Sequence, residues 1–140
     1  MTRQRNDEHS TEFGLWLREY GPDSRNDGLD AENLDYILFN YKTAELRLIE
    51  EKRHKSQLTA AQKDTFGVID QLLRLGIESS KPIKTHRGLR PIKYHGMSIV
   101  RFENTSPDDG WIEVDGDRMT REGFIRFLNF GRCLTKSGFT

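Results

Sequence analysis

The stretch Leu34 to Arg53, LDYILFNYKTAELRLIEEKR, limits the fold more than any other part of the chain. Leu34, Ile37, Leu38 and Phe39, with Tyr36 and Tyr41, make one short apolar run, and Leu46, Leu48 and Ile49 make a second. Both have strand length rather than helix length. The spacing predicts two antiparallel strands joined by a tight turn, either at Lys42-Thr43 or through the four residues Tyr41 to Ala44. Either turn gives one register, in which Asp35 lies directly across from Glu50. Directly opposed β-carbons are about 5 Å apart, and like charges there are destabilising unless something positive sits between them. A divalent cation meets that need. Alternation along the strand puts Glu50 and Lys52 on one face with Leu46 and Leu48, so the apolar end of that face points into a core while its polar end faces a cleft.

The chain has 140 residues, enough for one modest core, so a single domain over 1–140 is expected, frayed at 1–9. Charged residues make up 31% and hydrophobic ones 34%; this is a polar but foldable balance, with no apolar run near the about eighteen residues of a membrane span. The N-terminal MTRQRNDEHS has no apolar core of a secretory signal. The single cysteine, Cys133, allows no internal disulfide and no cysteine-based zinc site. These features predict a cytoplasmic protein without membrane attachment. The net charge of zero argues against unspecific polyanion binding, but the charge is unevenly placed. Acids crowd the chain from Asp7 to Asp35, whereas the stretch between Ser79 and Phe102 has none and carries Lys81, Lys84, Arg87, Arg90, Lys93 and Arg101.

Along the rest of the chain, residues 10–20 read as an amphipathic helix, with Phe13, Trp16, Leu17 and Tyr20 on one stripe, Ser10 or Thr11 as N-cap and Gly21-Pro22 as the stop. Residues 21–33 read as a loop, with no short strand ahead of the hairpin. Thr59-Ala60-Ala61-Gln62 is a capping box that opens a helix running to Gly76, whose stripe of Gln62, Phe66, Ile69 and Leu73, widened by Val68 and Leu72, should pack on the sheet. The basic segment 79–96 contains Pro82, Gly88, Pro91 and Gly96 and reads as an extended loop or arm. Strands follow at Met97 to Glu103 and Trp111 to Val114, then a turn at Asp115-Gly116-Asp117. Thr120 caps a last helix that ends at Gly131, with Phe124, Ile125, Phe127 and Leu128 as core residues. His86 and His95 have no partner at metal-ligand spacing and stay outside catalysis.

Asp35, then Glu50-Glu51-Lys52 on the next strand, followed by a helix headed by Gln62 and by further strands, resembles the PD-(D/E)XK nuclease superfamily; Leu34 stands where the name of the motif has Pro. The resemblance implies an α/β single domain, a mixed β-sheet flanked by helices around a restriction-endonuclease-like core. It implies Mg²⁺, with Mn²⁺ able to substitute, held by Asp35 and Glu50, with the Glu51 carbonyl completing the set and Glu12 as an extra acid from the preceding helix. Lys52 would stand beside the attacking water, and Gln62 would hold the water or a phosphate, although capping alone also accounts for Gln62. The expected substrate is DNA, and a homodimer is needed to cut two strands at once. Lys81, Lys84, Arg87, Arg90 and Lys93 suit backbone phosphates, whose neutralisation releases counterions. Two other classes fit the same residues: a nuclease-fold protein that binds nucleic acid without cutting it, and a small protein-interaction module.

Overall fold

In the computed structural model, residues 11–53 and 56–133 are described, Ser24 by its backbone alone; the expected frayed start and the candidate cap Ser10 lie outside them. Strand β1 (Tyr36–Asn40) pairs antiparallel with β2 (Glu45–Arg53), Tyr36 opposite Ile49 and Asn40 opposite Glu45. Extended by one residue, that register sets Asp35 across from Glu50, as the sequence predicts. The turn takes the four-residue form, Tyr41 to Ala44. A two-residue hairpin turn of the favoured kind needs left-handed backbone at both central positions, which Lys42 and β-branched Thr43 resist. Instead the Asn40 carboxamide oxygen accepts the Lys42 and Thr43 amides at 2.9 and 3.1 Å, and Ala44, at φ 60°, returns its N–H to the Asn40 carbonyl at 2.8 Å.

Strand β5 (Lys93–Phe102) runs parallel to β2, and a parallel neighbour requires a crossover connection. Helix α3 (Ala60–Glu78) is that crossover. It starts at the expected capping box but ends two residues beyond Gly76, because the Ser79 hydroxyl donates to the Gly76 carbonyl at 2.7 Å and closes the last turn. Its expected apolar stripe is corrected: Phe66 is buried, but Val68, Ile69 and Leu72 are exposed. Asp70 instead meets the sheet, accepting the Tyr94 hydroxyl at 2.6 Å.

The basic segment is not a loop. Residues Ile83–Thr85 (β3) and Gly88–Arg90 (β4) form a two-stranded hairpin, and Lys93 to Gly96 already belong to β5. The Thr85 hydroxyl accepts the Arg87 amide at 3.1 Å and donates to the Gly88 carbonyl at 2.7 Å, which closes the turn around Gly88 at φ 104°. Gly96, at φ 91°, lies where β5 spends one more residue than β2, a bulge between Leu46 and Leu48.

Strands β6 (Ile112–Val114) and β7 (Asp117–Met119) complete a mixed five-stranded sheet in the order β1-β2-β5-β6-β7, with β1 at one edge. The expected turn narrows to Asp115-Gly116, both at positive φ, so Asp117 opens a strand that the sequence reading missed. Helix α4 (Arg121–Leu128), capped by Thr120, covers one face of the sheet. There Phe124 packs with Ile49, Val100, Phe102, Ile112 and Val114, edge-on to Phe102 at 5.7 Å. Truncating Phe124 to alanine would cost about 3–5 kcal/mol. The other face carries Leu48 and Glu50, both buried, and meets α3.

The chain divides into two units, up to Glu32 and from Asn33 onward. In the first, α1 (Glu12–Tyr20) is capped by the Thr11 hydroxyl, which accepts the Gly14 amide at 3.0 Å. Phe13 stacks on Trp16 at 6.3 Å between ring centres, Trp16 meets Tyr20 at a tilt at 5.8 Å, and all three are exposed. The expected loop contains one helical turn, α2 (Ser24–Asp27), nucleated by the Asp23 carboxylate accepting the Asn26 amide at 2.7 Å. Among the described residues no helix is long and apolar enough to cross a membrane.

Candidate active site

Asp35 and Glu50 anchor each other across the hairpin through the backbone. The Asp35 amide donates to Glu50 Oε1 at 3.3 Å, and the Glu51 amide donates to Asp35 Oδ2 at 2.8 Å. Asp35 is thus held by a β2 main-chain donor just before β1 begins. Glu50 lies among the apolar residues of β2 and is 3% exposed.

Gln62 reaches this pair from the first turn of α3. Its Oε1 accepts the Thr59 amide at 3.0 Å, the capping-box bond, and the Lys52 ammonium at 2.9 Å. Its Nε2 donates to Glu50 Oε2 at 3.1 Å. The carboxamide therefore faces donors with its oxygen and a carboxylate with its nitrogen, the one orientation that satisfies all four groups. Capping and site are served by the same side chain. Lys52 Nζ also stands 3.7 Å from Glu50 Oε2, and alternation sends Arg53 to the opposite, exposed side.

Burial, and then the Asp35 charge, push the Glu50 carboxyl from 4.5 up to about 7, against the pull of Lys52. Burial and Asp35 also raise the Glu51 carboxyl. A cation between Asp35 and Glu50 would relieve this tension, and hard carboxylate oxygens suit Mg²⁺ or Mn²⁺. Among the described residues no group of three or more His, Cys, Asp and Glu side chains can hold a metal ion. Two carboxylates are nevertheless a habitual protein share for Mg²⁺, which keeps waters and takes substrate phosphates as its other ligands. The donor set fits such a shared ion rather than a closed cage.

The structure brings Asp35, Glu50, Lys52 and Gln62 together, with the Glu51 main chain beside them. Glu12 is the first residue of α1, in the N-terminal unit. The basic residues lie elsewhere. Arg90 donates to the Tyr41 carbonyl and, at 2.8 Å, to the Lys42 carbonyl, while the Arg87 guanidinium sits 4.2 Å over the Tyr41 ring. The β3–β4 hairpin is thereby pinned to the β1–β2 turn at Tyr41, six residue steps or roughly 20 Å along the strand from Glu50. Lys81, Lys84 and Lys93 are exposed.

A second buried carboxylate escaped the sequence reading. Glu45, 3% exposed, accepts His95 Nε2 at 2.7 Å and Arg132 Nη1. Burial raises its carboxyl, but the nearby Thr43 hydroxyl and the hydrogen bonds from Arg132 and His95 outweigh this and hold it at about 2. Next to it on the same face, Arg47 donates to the Phe127 carbonyl and lies 3.9 Å over the Phe127 ring, where a cation complements the C-terminal end of α4. The signal was in the pattern: Glu45 and Arg47 share the parity of core residue Ile49. This cluster fastens α4 and is not part of the Asp35–Glu50 site.

Compared with family models, curated proteins and solved structures, the chain matches none.

Proposed function

We propose that the sheet and α3 form a restriction-endonuclease-like core and that the protein is a Mg²⁺-dependent nuclease hydrolysing DNA phosphodiester bonds. The observation that carries this reading is the convergence of opposed Asp35 and Glu50 with Lys52 and Gln62 in one hydrogen-bonded set. The element order supports it too: an acid-bearing hairpin, a helix, then a parallel strand beside the hairpin.

Asp35 and Glu50 are the residues that would hold the metal, which when bound acidifies water and polarises the phosphate. Glu50 must lose its proton to serve, so protons compete for the site below about pH 7. Gln62 fixes the Lys52 ammonium beside Glu50. From there Lys52 offsets charge developing on the phosphoryl oxygens during attack, a preorganised electrostatic role. Outside the catalytic set, exposed Lys81 and Lys84 offer charge to the DNA backbone.

The test is a cleavage screen with Mg²⁺ or Mn²⁺ across linear, circular, forked and four-way DNA, with Glu50→Ala as the blank. Metal-dependent cleavage by the wild type alone is expected. Cleavage no higher than the blank on every substrate would refute the catalytic reading. Salt-dependent binding without cleavage would then identify a nucleic-acid-binding protein.

A further inference from the structure

Among the described residues β1 is the outermost strand of the sheet, and its sequence YILFN has no charge, no proline and no slip in register. Natural sheets protect such an edge, because its unpaired main chain and apolar side chains invite another strand. Ile37 and Phe39 are 65% and 43% exposed. They oppose Leu48 and Leu46, so both lie on the Glu50 face.

The edge is self-complementary. Two copies paired antiparallel about a two-fold axis perpendicular to the sheet keep each face continuous, so residues of like parity oppose one another. Centred on Leu38, this pairing sets Leu38 against its twin and Ile37 against Phe39 of the partner, twice. It also sets Asp35 opposite Tyr41 of the partner. Tyr41 is where the cations gather: Arg87 lies over its ring, Arg90 holds its carbonyl, and Lys42 follows. The acidic end of β1 in one copy therefore meets the basic end in the other. Within one protomer the same cations stand some six residue steps from Glu50, roughly 20 Å away.

We propose that two copies of this chain pair through β1, and that the Lys42, Arg87 and Arg90 corner of each stands beside the Asp35–Glu50 site of the other to receive the DNA backbone there. The pairing follows from the edge strand alone; the role of the corner rests on the nuclease reading.

The pairing is tested without DNA or metal by sedimentation equilibrium of the full chain. The wild type should be a dimer, and Ile37→Lys and Phe39→Glu should each raise the dimer dissociation constant by about tenfold or more. Mixed together, the two variants should form a heterodimer, because the introduced lysine faces the introduced glutamate; that recovery also shows that both variants fold. A monomeric wild type at on the order of 50 μM, or no recovery on mixing, overturns the pairing. The corner's role is tested by cleavage. Arg87→Ala should cut at least about tenfold more slowly than wild type, Glu50→Ala should be inactive, and their equimolar mixture should reach roughly a quarter of the wild-type rate, above Arg87→Ala alone, from mixed dimers with one complete site. Full activity in Arg87→Ala, or no recovery in the mixture while the wild type cuts, overturns the contribution across the interface. A wild-type dimer that cuts nothing refutes the nuclease reading and leaves the pairing standing.

Discussion

Replacing Glu50 with Gln should stabilise the metal-free protein at alkaline pH and leave it nearly unchanged in mild acid. The Glu50 carboxyl is raised from 4.5 to about 7, by burial first and by Asp35 second. The folded chain thus keeps a proton that the unfolded chain has released, and stability falls as pH rises from 4.5 through about 7. Over that interval, at about 1.36 kcal/mol per pH unit, the loss comes to roughly 3 kcal/mol. Gln has nearly the same shape, cannot ionise, and still offers an oxygen to the Gln62 amide, so it escapes the loss. In a domain of this size such a difference is on the order of 10 °C in Tm. Thermal unfolding followed by circular dichroism in EDTA, from about pH 5 to about pH 9, should show two curves that meet at the acid end and separate toward the alkaline end. Parallel curves would refute the reasoning. Mg²⁺ should narrow the alkaline gap by raising the wild type alone, since a ligand of the folded state stabilises it by mass action.

Lys52→Ala should lower cleavage on the order of a hundredfold while the dissociation constant for DNA in Ca²⁺ moves by less than about threefold, and Arg53→Ala should cut at close to the wild-type rate; equal activities would remove Lys52 from the chemistry. Thr59→Ala and Gln62→Ala should each cost about 1 kcal/mol in urea unfolding through the lost cap, but only Gln62→Ala should also slow cleavage, because only it frees Lys52. Arg90→Ala should speed amide exchange in β3 and β4 by unpinning the hairpin, whereas Lys84→Ala should leave exchange alone and make the salt slope of DNA binding shallower by about one. Glu45, held at about 2, contributes stability that is present above 4.5 and lost as pH falls toward 2; Glu45→Gln should therefore be less stable than wild type at neutral pH, and acid titration should bring the two together.

The hairpin and its Asp35–Glu50 register were legible because strand parity is rigid: once two apolar runs and a short turn are fixed, opposition follows arithmetically. The caps at Thr11, Thr59 and Thr120 were legible for a similar local reason, a hydroxyl beside free helix amides. What failed was whatever depends on distant partners. Composition cannot tell a basic loop from a hairpin pinned by Arg90 to carbonyls 48 and 49 residues away. Nor does periodicity say that Asp70, through Tyr94, meets the sheet where Ile69 and Leu72 were expected. Gln62 marks the boundary between the two cases. Its capping role is visible in four consecutive residues, while its bonds to Glu50 and Lys52 depend on how α3 lies against the sheet.

The parallel pairing of β2 with β5 has a consequence for the order in which a newly made chain matures. Asp35, Glu50, Lys52 and Gln62 leave the ribosome close together, but the strand that flanks Glu50 ends only at Phe102. At about 5–20 residues per second, the intervening segment takes roughly 2–8 s to synthesise. During that delay the β1–β2 hairpin can form while both of its long edges face water, and Glu50, though already opposite Asp35, stays hydrated. Burial, the larger cause of its heightened hold on a proton, comes only when β5 pairs beside it. Translation therefore delivers the acidic pair first and makes it chemically unusual later, with the arrival of β5.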